Sequence, residues 1–429
     1  MKKKFISFLI MTVTLANISL VNISSVQAAT TDNTSAAITG NTGATSTDNT
    51  GATSTNNAIK VSLANIEDII TENNLNAKMY ANTRDNAKLT YDDVNDSGDV
   101  TAAKTALQDA ETANTAYNNA LKAYKLDPAN NPNPTEPTND VETAQTNLTT
   151  AENALNTAKY TLRNANITYS QNLETLVKKA QNDYISYVLS DLPSKEYDTA
   201  NVQLLKKAAD AAKIQYDNGF LSKNDYTTAQ LNYTNALNTA NASSDTEEND
   251  KANLYYDLGI SLGQNVNFDT NLEQDLEDVS KINYNDDLTQ MLNNNLTLQA
   301  DNISVDEASD AKDDETDSST DNTNEVINNK FDNAQMQLEL DKNNSEPNFK
   351  EEYDALMNSY ATMKSSSDSL DQQKNNYNSA QIQYDYGFAS QNDVDTSRVT
   401  SLETSESFEK NKSTFYANYL LYIQMKEGY

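Results

Sequence analysis

The sequence predicts an all-α protein built from two tandem copies of a long antiparallel helical hairpin. The chain holds only nine Gly and six Pro in 429 residues, whereas average usage gives roughly thirty and twenty. Folds that turn often need these residues for tight turns and positive φ. In addition, IQYDNGFLSKND (residues 214–225) and IQYDYGFASQND (382–393) are identical at nine of twelve positions. Rare turns and a repeated turn sequence together favour long duplicated hairpins of the coiled-coil or α-barrel type.

The composition excludes several classes of site. The chain contains no Cys, His or Trp, so it cannot build a zinc finger, a His-based triad, a thiol nucleophile or a His-ligated haem. No spacing of the remaining residues indicates catalysis, and we therefore expect neither an enzyme nor a cofactor. The formal charge of −32 repels phosphate groups, so we expect no nucleic-acid partner.

The first segment, residues 1–28, is predicted to be a secretory signal peptide. Lysines at positions 2–4 precede a mostly apolar stretch at 5–20, and Val26-Gln27-Ala28 supplies small residues for cleavage after Ala28. The alternative is an uncleaved anchor, but Asn17 and Asn22 make the apolar run too short for a span. The prediction places the mature chain in the cell envelope or outside the cell.

Residues 29–60 are predicted to be a disordered leader of low complexity. NTGATSTD at 41–48 is followed directly by NTGATSTN at 49–56. Nothing in this stretch provides a hydrophobic core. A flexible spacer is the simpler interpretation, and a wall-spanning or glycosylated stalk is the alternative.

The first copy is predicted over residues 61–264 and the second over 265–429. Residues 125–140 hold four of the six prolines and are expected to form a loop between two antiparallel helices. The helical pattern then runs from 140 to about 218, with an expected break near Pro193. In the second copy the stretch 306–325 is rich in Asp and Glu, which predicts a solvated acidic loop; loose cation binding is the alternative.

Each copy is predicted to contain a capped helix–turn–helix. A helix ends near a Tyr, a left-handed Gly stops it, and a Ser caps the next helix with an Asp three residues later. These residues are Tyr216, Gly219, Ser222 and Asp225 in the first copy and Tyr384, Gly387, Ser390 and Asp393 in the second.

The two copies also match at their beginnings and ends. The segment that starts at Val61 resembles the one that starts at Ile282, and Ala252–Gly263 pairs with Ala417–Gly428. The second copy is shorter, since 102 residues separate Ile282 from Tyr384 whereas 155 separate Val61 from Tyr216. We interpret the chain as a tandem duplication.

Residues 93–104, DVNDSGDVTAAK, begin with the spacing of a calcium-binding loop. The twelfth position of such a loop requires a bidentate acid, and here it is Lys104. We therefore interpret this segment as a polar turn, with a calcium site as the alternative.

The doubled pattern resembles the TolC-like outer-membrane efflux protein family. The matching features are an Asn-Asn-Leu helix opening, then Tyr-x-x-Gly-x-x-Ser-x-x-Asp, and a helix that closes on Leu-Gly in the first copy and on Glu427-Gly428 in the second. The resemblance spans residues 61–428. It implies a homotrimer whose hairpins close into an α-barrel, through which substrates leave the cell.

The resemblance also implies roles for the residues of the two turns. The turns would form the inner end of the duct and dock an adaptor or transporter protein of an export system. The implied contact residues are Gly219, Phe220, Leu221, Ser222, Gly387, Phe388, Ala389 and Ser390. Asp225 and Asp393 fall where the family can carry acids at the pore entrance, a role compatible with helix capping.

The sequence departs from the family where strands of a membrane barrel are expected. Those positions hold the Pro-rich segment 125–140 and the acidic segment 306–325, and neither alternates apolar and polar residues as a membrane strand does. We therefore expect little or no β-barrel. The predicted function is that of an exported, passive helical duct of an efflux or secretion assembly. The alternative is a structural or surface coiled-coil protein that has lost channel activity.

Overall fold

The computed structural model describes residues 58–138, 140–270, 272, 279, 281–313 and 321–429. The predicted signal peptide and most of the predicted leader lie outside the described residues. The last residues assigned to the leader do not form a tail, because Ile59 and Lys60 belong to a strand. Their backbone pairs with a second strand, which satisfies polar groups that a free tail exposes to water.

The first copy consists of a strand, a 3₁₀ turn at Leu63–Asn65 and six α-helices, with a five-residue π-helical turn between the fourth and fifth. Its regular elements are β1 (Ile59–Val61), α1 (Ile66–Asn73), α2 (Leu75–Asp96), α3 (Asp99–Leu126), α4 (Val141–Ser186), the π turn (Tyr187–Asp191), α5 (Leu192–Asp217) and α6 (Lys223–Asp257).

The second copy repeats this order with fewer elements. Its described elements are β2 (Val266–Phe268), α7 (Tyr284–Asn294), α8 (Leu296–Asp313), α9 (Asp321–Asp385) and α10 (Gln391–Lys426). One helix, α8, stands where the first copy has both α2 and α3. This difference explains most of the shorter length of the second copy, and α9, shorter than the continuous helix over residues 141–217, accounts for a further part.

The long helix predicted from 140 to about 218 is present as α4, the π turn and α5 without interruption. Pro193 does not break it, because the π turn widens the helix immediately before this residue. A proline ring clashes with the carbonyl four residues earlier, and a widened turn relieves that clash. We call this continuous segment, residues 141–217, the outbound helix.

The Pro-rich segment separates α3 from α4, which pack side by side. Asp140 accepts a 3.0 Å hydrogen bond from the amide of Glu142 and so caps α4. The helical pair formed by α3 and the start of α4 occupies the end of the molecule far from the turn at residues 218–222.

The structure corrects the predicted acidic loop at 306–325 wherever these residues are described. Residues 306–313 continue α8, residues 321–325 begin α9, and 314–320 lie outside the described residues. Helix is favoured here because two acids have partners on α4. Asp306 lies 2.8 Å from the guanidinium of Arg163, and the hydroxyl of Tyr160 donates to Asp310.

The principal core lies where the two copies meet, midway along the long helices. The strands β1 and β2 pair in parallel, with Ile59 opposite Val266. Aromatic side chains pack against them, with the rings of Tyr187 and Phe268 5.2 Å apart. Elsewhere in the same core the rings of Phe349 and Tyr422 stack with centroids 5.0 Å apart. Tyr184 is fully buried there. Residues of both predicted copies contribute to this one core over the described part of the chain.

The ends of the two copies correspond differently from the sequence pairing. Gly259 follows the end of α6 with φ +70°, and Gly428 follows the end of α10 with φ +99°. Gly263 does not have a positive φ, and a Cβ added to it would meet no atom within 4 Å. The structural partner of Gly428 is therefore Gly259, one helical turn before the Gly263 that the sequence comparison chose.

Candidate functional site

The two turns of the repeated motif have the same backbone geometry. Gly219 and Gly387 have φ values of +78° and +77°. The amide of Phe220 donates to the carbonyl of Gln215 at 2.8 Å, and that of Phe388 donates to Gln383 at 2.7 Å. Each glycine amide also donates three residues back, which completes a Schellman motif. This confirms the predicted left-handed helix stop in both copies.

The predicted caps are also confirmed. The Ser222 hydroxyl accepts from the amide of Asp225 at 3.1 Å, and the Ser390 hydroxyl accepts from that of Asp393 at 3.2 Å. In the second copy the Asp393 carboxylate accepts from the Ser390 amide at 2.8 Å, which closes a full capping box. These hydrogen bonds lower the pKa of Asp393 below its usual value.

Each turn presents a largely exposed phenylalanine side chain. Phe220 and Phe388 are both 84% exposed, whereas the neighbouring Leu221 and Ala389 are half-buried. We call the segments 214–225 and 382–393 the first and second tips. Such symmetrically exposed phenylalanines leave apolar surface uncovered in the single chain.

The structure places both tips at the same end of the helical array. Helix α5 packs against α10, and Lys207 Nζ lies 2.6 Å from Asp395 Oδ2. Farther from the tips, the Ser194 hydroxyl donates to Glu406 at 2.7 Å. The contacts join the two hairpins side by side and bring together the two sets of predicted site residues.

Sequence reasoning missed further exposed residues beside the predicted ones. Ile214 and Ile382 are both more than half exposed, and Tyr386 of the second tip is 75% exposed. The repeated IQYD segment already contained the two isoleucines. Whether these isoleucines are buried, however, depends on which face of α5 and α9 the partner helices cover. The spacing of apolar residues within one helix does not determine that face.

Two stripes of exposed apolar side chains lie away from the tips. One is on α2 and the other on the first third of α9, and in each the three residues fall within about 80° on the helix surface at 100° per residue. The stripes consist of Leu75, Met79 and Leu89 and of Val326, Met336 and Leu340.

The segment that resembles a calcium loop is a turn between two helices. Asp93 lies within α2, Gly98 takes φ +73°, and Asp99 begins α3. Because residues on both sides are helical, the carboxylates do not surround a common point. Within the described ranges no group of three or more acidic side chains is arranged to hold a metal ion.

None of the described helices combines the length and the apolar character needed to cross a membrane.

No family model matches the sequence, and neither does any curated protein. Among solved structures, the Campylobacter jejuni CmeC outer membrane channel is similar with a TM-score of 0.51 and 12% identity, over 65% of this chain and 68% of that chain. A membrane protein from Pseudomonas aeruginosa gives 0.49 and 12%, over 85% and 93% of the two chains. The outer membrane protein VceC from Vibrio cholerae gives 0.46 and 14%, over 65% and 76%. The likeness to CmeC concerns the fold: over its described residues, the chain has the long-helix, all-α architecture of a TolC-like protein.

Proposed function

We propose that the chain is an exported component of an efflux or secretion assembly, working as a passive helical duct that docks a partner pump or adaptor. The observation that carries this proposal is the pair of equivalent tips at one end of the molecule, each with a phenylalanine that is 84% exposed. Aromatic side chains that protrude from a rigid turn are typical anchors of protein interfaces.

The duct needs more than one copy of the chain. A single chain contributes two hairpins that pack through α5 and α10, which is too few to enclose a passage. By its resemblance to the TolC-like family, we propose a homotrimer in the cell envelope with six tips at one end. The chain would supply no chemistry, and a partner would supply the energy for transport.

The acids Asp225 and Asp393 are proposed to add negative charge at the inner end of the duct. Both lie in the first turn of the helix that follows a tip, where an acid also stabilises the helix dipole. Because the Ser390 hydrogen bonds lower the pKa of Asp393, this side chain stays ionised in mildly acidic surroundings. The cap and the proposed pore role therefore require the same protonation state.

The second candidate is a structural or surface coiled-coil protein without channel activity. It is favoured by the helical pair of α3 and the start of α4. The seam of this pair contains the fully buried Ala110 and the nearly buried Leu148, so the pair is folded without an additional partner. An extended, self-sufficient helical arm suits a spacer as well as a duct.

In-cell photo-crosslinking from the tips tests the proposal. A photoreactive phenylalanine analogue placed at 220 or 388 is expected to capture an adaptor or transporter subunit, identified by mass spectrometry. The matched control is the same analogue at Leu126, which is 86% exposed at the other end of the molecule. Equal capture at all three positions, or capture of this chain alone at the tips, would contradict docking.

A further inference from the structure

A row of polar side chains runs along the outbound helix across the π turn, one every four residues. We call this row the polar ladder. It faces three carboxyl groups on α6, namely those of Glu247, Asp250 and Asp257. The ladder consists of Lys179, Asp183, Tyr187, Asp191 and Lys195.

The π turn keeps the ladder facing α6. In a regular α-helix, residues four apart drift by about 40° around the axis at each step. The amide of Leu192 donates to the carbonyl of Tyr187, five residues back, and the wider turn reverses part of that drift. Tyr187 and Asp191 therefore remain on the face that carries Lys179 and Lys195.

At one end of the ladder, a single ammonium group serves two carboxyl groups. Lys179 Nζ lies 2.9 Å from Asp183 Oδ2 and also contacts the carboxylate of Asp257. Asp257 is buried at the end of α6, where its backbone carbonyl accepts from the Asn74 side chain. One positive charge balances one of these two carboxylates, and the second carries an excess negative charge.

At the other end, Glu247 is fully paired. Lys195 Nζ lies 2.7 Å from Glu247 Oε2, and the Tyr187 hydroxyl donates to Oε1 at 3.2 Å. Burial alone would raise the pKa of Glu247, but Lys195, Tyr187 and Lys251 favour its ionised form. The pKa of Glu247 is therefore lowered. Both ladder lysines, Lys179 and Lys195, therefore already form ion pairs with acids other than Asp191.

Asp191, between Tyr187 and Lys195 in the ladder, has a carboxylate oxygen without a hydrogen-bond donor in the described part of the chain. Its Oδ2 atom is buried and has no hydrogen-bond partner among the described residues. The carboxyl group of Asp250 lies beside it, and this group can donate only when one of the two acids holds a proton. Lys410 of α10 also faces Asp191, but it is paired with Glu406 at 2.6 Å.

We propose that the polar ladder is a proton-sensitive clamp between α6 and the outbound helix. In mildly acidic solution Asp191 and Asp257 each hold a proton, which Asp191 can donate to Asp250 and Asp257 to Asp183, and these hydrogen bonds join the helices. Near neutral pH the protons leave, and repulsion between the carboxylates loosens α6. The clamp operates within one chain and does not depend on the proposed duct.

The titration of the two pairs agrees with their geometry. Burial raises the pKa of Asp191 to about 6, with Asp250 and Glu247 adding to the effect. Burial likewise raises the pKa of Asp257 to about 6, with Asp183 raising it and Lys179 opposing. A raised carboxyl pKa means that the folded state binds the proton more tightly than the unfolded one. The resulting stability is complete below the ordinary Asp pKa of 3.8 and is lost as the pH rises through about 6.

Hydrogen exchange of the full chain, measured by mass spectrometry between pH 5.0 and 7.5, tests the clamp. After correction for intrinsic rates, peptides covering 183–195 and 245–257 are expected to open about tenfold more readily at pH 7.5 for each carboxyl concerned. Peptides covering 205–217, at the exposed end of α5, are expected to change little. An equal pH response in both regions would overturn the proposal.

The double variant Asp191→Asn, Asp257→Asn imitates the protonated state. It is expected to keep the ladder peptides protected at both pH values and to raise stability at pH 7.5, an effect that a disrupted fold cannot produce. The control is Asp210→Asn, which removes an exposed acid paired with Lys206 on the same helix and is expected to retain the wild-type response. Should the double variant also retain that response, or be less stable than wild type at pH 7.5, the clamp is wrong.

Discussion

The amide of Leu296 donates a 2.8 Å hydrogen bond to the carbonyl of Gly428, so the last turn of the second hairpin is fixed to the start of α8. The first copy has the equivalent corner, where Gly259 packs against the backbone of Asn73 and Asn74. In each copy an Asn-Asn-Leu corner therefore receives the glycine that ends the returning helix. This contact fixes the end of each returning helix to that corner.

The closing glycines are predicted to tolerate no side chain. A Cβ on Gly259 would lie 2.6 Å from the backbone carbon of Asn73, and one on Gly428 would lie closer still to Asn294. A side chain is also strained at the positive φ of these two positions. Gly259→Ala or Gly428→Ala should therefore lower the free energy of unfolding by roughly 3 kcal/mol or more. Chemical denaturation of the full chain measures the change.

The control for this prediction is Gly263→Ala. A Cβ at that position meets nothing within 4 Å, so the free energy of unfolding should change by less than about 0.5 kcal/mol. If Gly259→Ala and Gly263→Ala behave alike, the assignment of Gly259 as the closing glycine is wrong.

The ion pair between Lys207 and Asp395 is predicted to set the spacing of the tips. Asp395 has a pKa below its usual value, first because of Lys207. Because the Lys207 side chain is largely exposed, Lys207→Gln should reduce the free energy of unfolding by only about 1 kcal/mol, yet should loosen one hairpin against the other. The chain has no Cys, so spin labels on Phe220→Cys and Phe388→Cys report the distance between tips without competing thiols.

Electron spin resonance should show a broader distance distribution between the labels in the Lys207→Gln background. Lys206→Gln is the matched control, because Lys206 pairs with Asp210 within α5 and not across the hairpins. Identical broadening by both substitutions would show that the cross-hairpin pair does not position the tips.

The apolar stripe on α9 is predicted to be covered by another copy of the chain. Met336 is 58% exposed in the single chain, so Met336→Glu should not reduce the free energy of unfolding of one chain by more than about 0.5 kcal/mol. Buried in an interface, the same charge should block assembly. Size-exclusion chromatography distinguishes the two effects, with Leu126→Glu as the control. Unchanged assembly of Met336→Glu would place this stripe outside the interface.

The tips were predictable because their signals are local, whereas the local signal of Pro193 wrongly indicated a break in the outbound helix. Gly219 and Ser222 specify a helix stop and a cap through their own backbone and side-chain chemistry. The same residues recur at Gly387 and Ser390. Few residues in the chain can end a helix, so such signals stand out.

Other features depend on contacts between distant segments. Strands β1 and β2 have three residues each, too few to show an alternating sequence pattern. They are strands because they form hydrogen bonds with each other. Leu258-Gly259 and Leu262-Gly263 look alike in sequence, and the choice between them depends on which glycine meets Asn73.

The central claim is that several copies of this chain assemble into a duct, and light scattering on the purified full chain tests it most directly. Multi-angle scattering coupled to size-exclusion chromatography, with and without mild detergent, measures the mass without a shape assumption. The account predicts about three times the mass of one chain. A mass equal to that of a single chain under both conditions would contradict it.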